Sequence, residues 1–288
     1  MAAGTQTQVI GVRVAGGRMR DDLRAVGVVW RRELIRFSRN RLRIITALAQ
    51  PVVFLFILGT GLSSIVPSTT AGFSYRTFMF PGVVAMTVLF TAIFSAVSIV
   101  WDREFGFLRE MLVAPVRRSA IIVGKSLGGA TVATLQGAIM LALMGLVHIP
   151  YSVSLIVILL AEMALLAMAL TAFGLMLAAR IGQVESFQVV MQFFVLPMFF
   201  LSGAVFPLTS LPRWLAVLTR VDPMTYGVDP MRRAVFAHLN VPPAISAALS
   251  PGVHWGTWLL PVWFELGLLT TIGLVMLAVA IAQFSRTD

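Results

Sequence analysis

The chain has 288 residues, 58% of them hydrophobic and 12% charged, with a formal net charge of +10 and no cysteine. Soluble domains are less apolar and about twice as charged, so these proportions exclude an ordinary soluble globular fold. The missing thiols exclude a disulfide framework, a thiolate metal site and a cysteine nucleophile.

The basic excess is concentrated near the start of the chain. Ten arginines precede Ile44: Arg13, Arg18, Arg20, Arg24, Arg31, Arg32, Arg36, Arg39, Arg41 and Arg43. Clustered before a first apolar stretch, such charge marks the cytoplasmic side of a membrane and attracts anionic headgroups, so no nucleic-acid role is read from it. Residues 1–20 contain Gly, Thr and Arg without periodicity and are expected to form a disordered cytoplasmic tail. From Leu23 the apolar residues Leu23, Val26, Trp30, Leu34 and Phe37 recur at gaps of three and four. That spacing puts them on one helical face, with Arg24, Arg31, Arg32, Arg36 and Arg39 on the others. Segment 21–43 therefore reads as an amphipathic helix at the inner membrane surface, with Asp21 and Asp22 suiting its N-terminus.

A crossing needs about 20 apolar residues. No charge occurs between Arg43 and Arg76, between Arg76 and Asp102, from Ser126 to Ala161, or from Ser186 to Pro212. Segment 44–284 is expected to be an all-α polytopic membrane domain of six spans. These are Ile44–Leu62 (with Pro51 inside), Phe78–Trp101, Ile121–Val147, Val153–Ala179, Phe187–Phe206 and Trp258–Gln283. His148-Ile149-Pro150-Tyr151 divides the third from the fourth, because proline removes a helix donor and restricts its predecessor. An even number of spans places both termini on one side. With the N-terminus inside, 17 of the 22 basic residues are cytoplasmic and five (Arg76, Arg213, Arg220, Arg232, Arg233) are outside. That asymmetry is the positive-inside pattern.

Signals for covalent chemistry are weak. Gly124-Lys125-Ser126 looks like the end of a phosphate-binding loop, but the fifth position before Gly124 is Ser119 and the segment enters a span. His148, His238 and His254 are dispersed without ligand spacing. No metal site is expected, and no H-E-x-x-H or G-x-S-x-G motif is present to support proteolysis or acyl transfer.

Two segments are more informative. In the hinge from Trp101 to Pro115, Phe107, Leu108, Met111 and Leu112 share a helical face, while Arg103, Glu104, Arg109 and Glu110 offer mixed charge. Such a helix suits docking a soluble partner, or equally rests on headgroups. The segment from Gly203 to Arg233 is cut by Pro207, Pro212, Pro223 and Pro230 into helices too short to span, with Trp214 and Tyr226 as interfacial anchors. These pieces are expected to be re-entrant, dipping into the outer leaflet with their backbone ends covered by protein or water.

On these segments the sequence resembles the permease subunits of ABC-2 type exporters, particularly the bacterial drug and daunorubicin-exporter branch. The resemblance covers nearly the whole chain. It rests on the amphipathic helix, on Glu104-x-Gly106, Glu110, Leu112 and Pro115 in the hinge, and on Gly124-Lys125. Most specific are Phe206-Pro207 and Leu211-Pro212 followed by Asp222-Pro223-Met224-Thr225-Tyr226 and Asp229; Arg232 is a further candidate of this outer re-entrant motif. Phe107 stands where the family commonly has a small polar residue. The resemblance implies two six-span permease subunits, identical or homologous, each resting on a cytoplasmic ATPase subunit. Two ATPase copies would then carry ATP and Mg, and this chain would hold no cofactor. Gly106 and Glu104–Leu112, including Met111, would form the coupling helix, with Arg103, Arg109 and Glu110 fixing register. Arg31, Arg32 and Arg36 would lie on the second contact. The cargo would be an amphiphilic drug or lipid, exported across a bacterial plasma membrane. An ion-coupled secondary transporter acting alone is the alternative; it predicts paired ionisable residues near the midplane and often inverted repeats.

Glu162 and Glu265 lie inside expected spans at similar depths, where a carboxylate is costly. Either they attract a cationic substrate or line a hydrated outer cavity, or one of them pairs with Arg232 or Arg233. Gln136 and Gln192 face the pathway or satisfy neighbouring helices. Phe193, Phe194, Phe199 and Phe200 make a greasy lateral path, or pack and face lipid.

Overall fold

The computed structural model of the chain describes residues 19–63, 74–106, 117–208, 211–239 and 241–286. In order these form α1 (Met19–Arg39), α2 (Arg41–Ser63), α3 (Tyr75–Ser95), α4 (Val97–Glu104) and α5 (Arg118–Leu141). A 3-10 turn (Met144–Val147) leads to α6 (Val153–Ala178) and α7 (Val184–Leu201). Three short helices follow, α8 (Arg213–Val221), α9 (Thr225–Ala237) and α10 (Pro243–Leu249). A hairpin of β1 (His254–Trp255) and β2 (Trp258–Leu259) then precedes α11 (Val262–Arg286).

Among the described residues, five helical segments are long and apolar enough to cross a membrane: Ile44–Leu62, Tyr75–Glu104, Val153–Ala178, Val184–Leu201 and Val262–Ser285. The expected third span differs. Its helix, α5, has 24 residues but stops at Leu141 instead of reaching Val147. Gly124, Lys125, Ser126, Gly128, Gly129, Gln136 and Gly137 dilute its hydropathy. The physical reason is its position. α5 packs against α1, α3 and α6, so its small residues serve close helix approach and not contact with lipid. Gly129, for example, faces Ser95 of α3 and Thr171 of α6.

The second expected span lies within one helical segment, Tyr75–Glu104, in which a turn at Ala96 separates α3 from α4. At that turn Ser95 Oγ donates to the Ala92 carbonyl at 2.7 Å, a local side-chain bond that competes with the helix's own hydrogen bonds. The last span begins at Val262 and not at Trp258, since Trp258 and Leu259 pair antiparallel with Trp255 and His254. Gly256, at φ 67°, supplies the left-handed backbone that the hairpin turn needs.

Burial orders the bundle. Buried residues make up 78% of the apolar stretch of α3–α4, which forms the centre, but only 17%, 28% and 22% of those of α2, α7 and α11, which lie at the edge. α1, α4, the start of α5, the α6–α7 turn and the end of α11 gather at one end. There Arg118 donates to the Ser285 carbonyl at 3.2 Å. The starts of α3 and α6 share the opposite end with α9 and the hairpin. Thr77 Oγ1 donates there to the Val147 carbonyl at 2.8 Å.

The amphipathic helix forms and lies along α5. Gly124 faces Val26 and Val29, and Gly128 faces Trp30 and Glu33. The face in contact is therefore rotated from the expected apolar stripe, and Leu23 stays 66% exposed. Asp22 serves α5 and not its own helix. Its carboxylate accepts from the Arg117 backbone N–H at 3.2 Å and lies 3.3 Å from Arg117 Nε, at the first turn of α5.

Candidate functional site

Two polar clusters occupy opposite ends of the bundle. At the α1 end, Lys125 projects from α5 into a site where its side chain is 1% exposed. Its ammonium reaches Asp102 Oδ2 at 2.6 Å, Ser98 Oγ at 2.9 Å and Glu33 Oε1 at 3.9 Å. Arg32 joins both acids, at 3.4 Å each. Two cations and two acids thus tie α1, α4 and α5 together with no net charge. Lys125 is the only lysine in the chain. A compact ammonium with three donors suits acceptors that converge on one point. The same geometry shows that Gly124-Lys125-Ser126 is not a phosphate-binding loop, because it lies within a helix and its lysine is engaged.

Arg103 and Glu104, expected to meet a soluble partner, both bond to the α6–α7 turn, Arg103 half-buried and Glu104 still exposed. Arg103 donates to the carbonyls of Ala179 (3.0 Å) and Ile181 (3.1 Å). Glu104 accepts from the Val184 N–H at 3.0 Å, satisfying the N-terminus of α7. Together they grip the α6–α7 turn. Gly106, at φ 78°, ends this segment in a conformation that suits glycine. Phe107, Leu108, Arg109, Glu110, Met111, Leu112 and Pro115 lie outside the described residues. Of the N-terminal arginines, Arg31 is exposed, Arg32 joins the network above, and Arg36 sits 5.3 Å from the Trp101 ring. Asp102, Ser98 and Glu33 escaped sequence reasoning. The signal for them was one lysine in a chain that otherwise uses arginine.

At the α9 end the proline-rich motif is held from two sides. Asp222 Oδ1 accepts from the Met224 N–H at 2.9 Å and starts α9. Burial pushes its carboxyl well above the usual range, against the opposing effect of that hydrogen bond. Pro223 precedes this turn, and Tyr226 donates to the Arg220 carbonyl at 2.5 Å. Arg232 donates to the Gly203 carbonyl and sits 4.2 Å from the Phe78 ring, while Tyr75 donates to the Val205 carbonyl. The chain entering Phe206-Pro207 is thereby anchored to α3 and α9. Gly82 lies so close that a Cβ there would sit 2.5 Å from the Ala204 carbonyl oxygen. Pro207 is half-buried and Pro212, just before α8, is exposed.

Beside this motif the intramembrane acids converge. Arg233 Nη2 lies 2.6 Å from Asp229 Oδ2 and 3.0 Å from Glu265 Oε1, and its Nη1 donates to the Leu260 carbonyl at 2.9 Å. Glu162, from α6, is buried at the same end, within electrostatic reach of Asp229 and Glu265. Its Oε2 is buried without a hydrogen-bond partner. Of the two expected pairings, Glu265 takes Arg233, whereas Arg232 is spent on a carbonyl and a ring. Among the described residues no ion pair reaches Glu162. No group of His, Asp or Glu there could hold a metal ion.

The remaining pathway candidates divide. Gln136 donates to the Ile44 carbonyl at 2.9 Å and leaves its Oε1 unpartnered. It borders a cleft of about 250 Å³ between α2, α3 and α5, with Gln50, Thr91 and Phe94. Gln192, Phe193 and Phe200 lie on the exposed face of α7, Phe193 being 73% exposed. Phe194 meets Phe173 edge-on at 5.5 Å, and Phe199 is buried against Phe54 at 5.3 Å. The four phenylalanines therefore do not form one surface.

A bundle with five helices of spanning length and an amphipathic helix fastened along it defines a multi-pass membrane protein. Residues 24–236 match the model of the ABC-2 type transporter family, and the chain belongs to that family. It is 29% identical over 210 residues to a putative transport permease, ycf38, of Cyanophora paradoxa, covering 71% of this chain and 72% of that one. Nodulation protein J of Rhizobium leguminosarum bv. trifolii is 30% identical over 219 residues, covering 73% and 80%. A probable multidrug ABC transporter permease, YbhR, of Escherichia coli K12 is 31% identical over 157 residues, 54% of this chain but 42% of that longer protein.

Proposed function

We propose that the chain is the permease subunit of an ATP-driven exporter and moves an amphiphilic drug-like or lipid substrate outward. ATP and Mg reside on a separate cytoplasmic ATPase, two copies serving two permeases that are identical or homologous. The family supports the class, and the multidrug name of one relative supports the kind of cargo. One observation carries the mechanism. Lys125 fastens α1 to α4, the helix that leads into the 107–116 connection. A push on α1 or on that connection then reaches α3, α4 and α5 as one body, which is what coupling to an external motor needs.

In this reading α5 is the sixth span, the α1 end faces the cytoplasm with both termini, and the membrane is a bacterial plasma membrane. Phe107, Leu108, Arg109, Glu110, Met111 and Leu112 form the coupling helix, its apolar knobs seated on the ATPase. Edge helices α2 and α7 face the second permease. Gln188 and Gln192 support this, because two exposed amides on a spanning helix are poorly placed against lipid. Gln192, Phe193 and Phe200 would then line the substrate path between the two chains.

Purification in gentle detergent tests the proposal. A stoichiometric ATPase with vanadate-sensitive turnover is the expected companion. Glu110→Arg, or Phe107→Ala with Leu108→Ala, should release it while leaving membrane insertion intact. Transport by the chain reconstituted alone, without ATP, would replace this reading with an ion-coupled one.

A further inference from the structure

The cleft beside Gln136 is one half of a larger space. A second cavity, of about 400 Å³, lies between α1, α3, α4, α5 and α7, and Phe37 and Phe94 border both. The two halves differ in character. Phe90, Pro51 and Ala47 give the smaller half a largely apolar wall. That wall is broken by two buried polar atoms without a hydrogen-bond partner, Gln136 Oε1 and Thr91 Oγ1, on residues 0% and 9% exposed. A buried polar group left unpaired costs about 1–3 kcal/mol, so each one calls for a partner. Water fills that role where two to four polar groups surround it, which suits a wall of this kind poorly.

The larger half carries two charged side chains, Glu33 and Arg36. Glu33 is already matched, by Arg32 at 3.4 Å and Lys125 at 3.9 Å. Arg36 joins no ion pair among the described residues, and its guanidinium lies 5.3 Å from the Trp101 ring centre. Stacking on a ring leaves the in-plane N–H donors open to an anion. One end of the space is therefore cationic, while the other is narrow, apolar and short of a hydrogen-bond donor.

We propose that the joined cavities bind one single-chain anionic amphiphile with the chemistry of a monoacyl glycerophosphate. Its phosphate meets Arg36, and its glycerol passes between Phe37 and Phe94. Its free hydroxyl donates to Gln136 Oε1, its ester carbonyl accepts from Thr91 Oγ1, and its chain starts against Phe90 and Pro51. A cavity of about 150 Å³ already holds one benzene, so the smaller half, at about 250 Å³, takes one chain and not two. The site lies within a single chain. It stands whatever drives transport, and apart from the path along Gln192, Phe193 and Phe200.

The probe is oleoyl-lysophosphatidic acid with a photoreactive diazirine in its chain. It is offered to the full chain, with whatever subunits purify with it, in nanodiscs of zwitterionic lipid. Irradiation and peptide mapping should place the label on α2 or α3 beside the smaller half, and unlabelled probe should compete it away. Arg36→Gln should weaken binding about tenfold and Thr91→Val about fivefold, for one charge-assisted and one neutral hydrogen bond. Inorganic phosphate and uncharged monoolein should each compete poorly. Label confined to α7 or α11, or binding that neither variant weakens, overturns the proposal. Full competition by monoolein makes the charge irrelevant and overturns it, as does full competition by phosphate, which needs no chain. No labelling leaves water in the cleft and overturns it too. Arg36 is exposed and Thr91 Oγ1 has no partner to lose, so both variants should keep wild-type thermal stability. Should one of them fail to fold, the affinity of the other decides.

Discussion

Lys125 and Arg233 are each shared between two acids, so removing either one strands buried charge. Breaking a buried pair from one side typically costs about 3–5 kcal/mol. Arg233→Met leaves Asp229 and Glu265 without their guanidinium and belongs in that range. Lys125→Met should cost about 3 kcal/mol, at the low end, because Arg32 still lies 3.4 Å from Asp102. Thermal unfolding of the purified variants in detergent checks both. Lys125→Arg tests shape separately from charge. If the ammonium is required for its size, arginine recovers only part of the loss. Neither partnership could be read from spacing. The sequence marked Glu162 and Glu265 as costly, and their equal depth as suggestive. It offered Arg232 and Arg233 as equal candidates, and helix rotation chose between them.

At the level of elements, α1 is held by shape as much as by charge. A Cβ on Gly124 would lie 2.8 Å from Val29 Cβ and 3.0 Å from the Val26 carbonyl oxygen. Gly124→Leu should therefore lift α1 from α5 at a cost of about 1–3 kcal/mol. Faster tryptic cleavage at Arg24 and Arg31 would report the release. Gly27→Leu is the matched control, since nothing lies within 4 Å of its Cβ position, and it should leave cleavage unchanged. The contrast also explains what was legible in α1. Its periodicity gave the helix and nearly its limits, because an amphipathic pattern is local. The face that packs was set by the glycines of α5 and by the need to bring Glu33 to Lys125. Leu23 was therefore left exposed although it belongs to the apolar stripe.

At the scale of the molecule, the proposed topology has a direct test, because the chain contains no cysteine. Single cysteines at Arg24, near the start of α1, and at Thr257, in the hairpin, should label from opposite sides of the membrane with an impermeant maleimide. Labelling of both from one side would rule out the even-span arrangement. The α3–α4 centre, with α2, α7 and α11 at the edge, also leaves most of the spanning surface of those three helices to be covered by lipid or a second chain.

Sequence alone determined the membrane class, most helix limits and the family. A bilayer demands about 20 apolar residues per crossing, and that demand is written locally along the chain. It carried α5 too far, to Val147 where the helix ends at Leu141, and the helix's glycines and polar groups, which face neighbours, give it a weaker apolar signature than the other spans. Tertiary structure alone decided which polar groups meet. Lys125 finds Asp102 from 23 residues away, and Arg233 finds Glu265 from 32. In a dry interior a polar side chain must take the partner that helix packing brings to it, and packing depends on every helix at once.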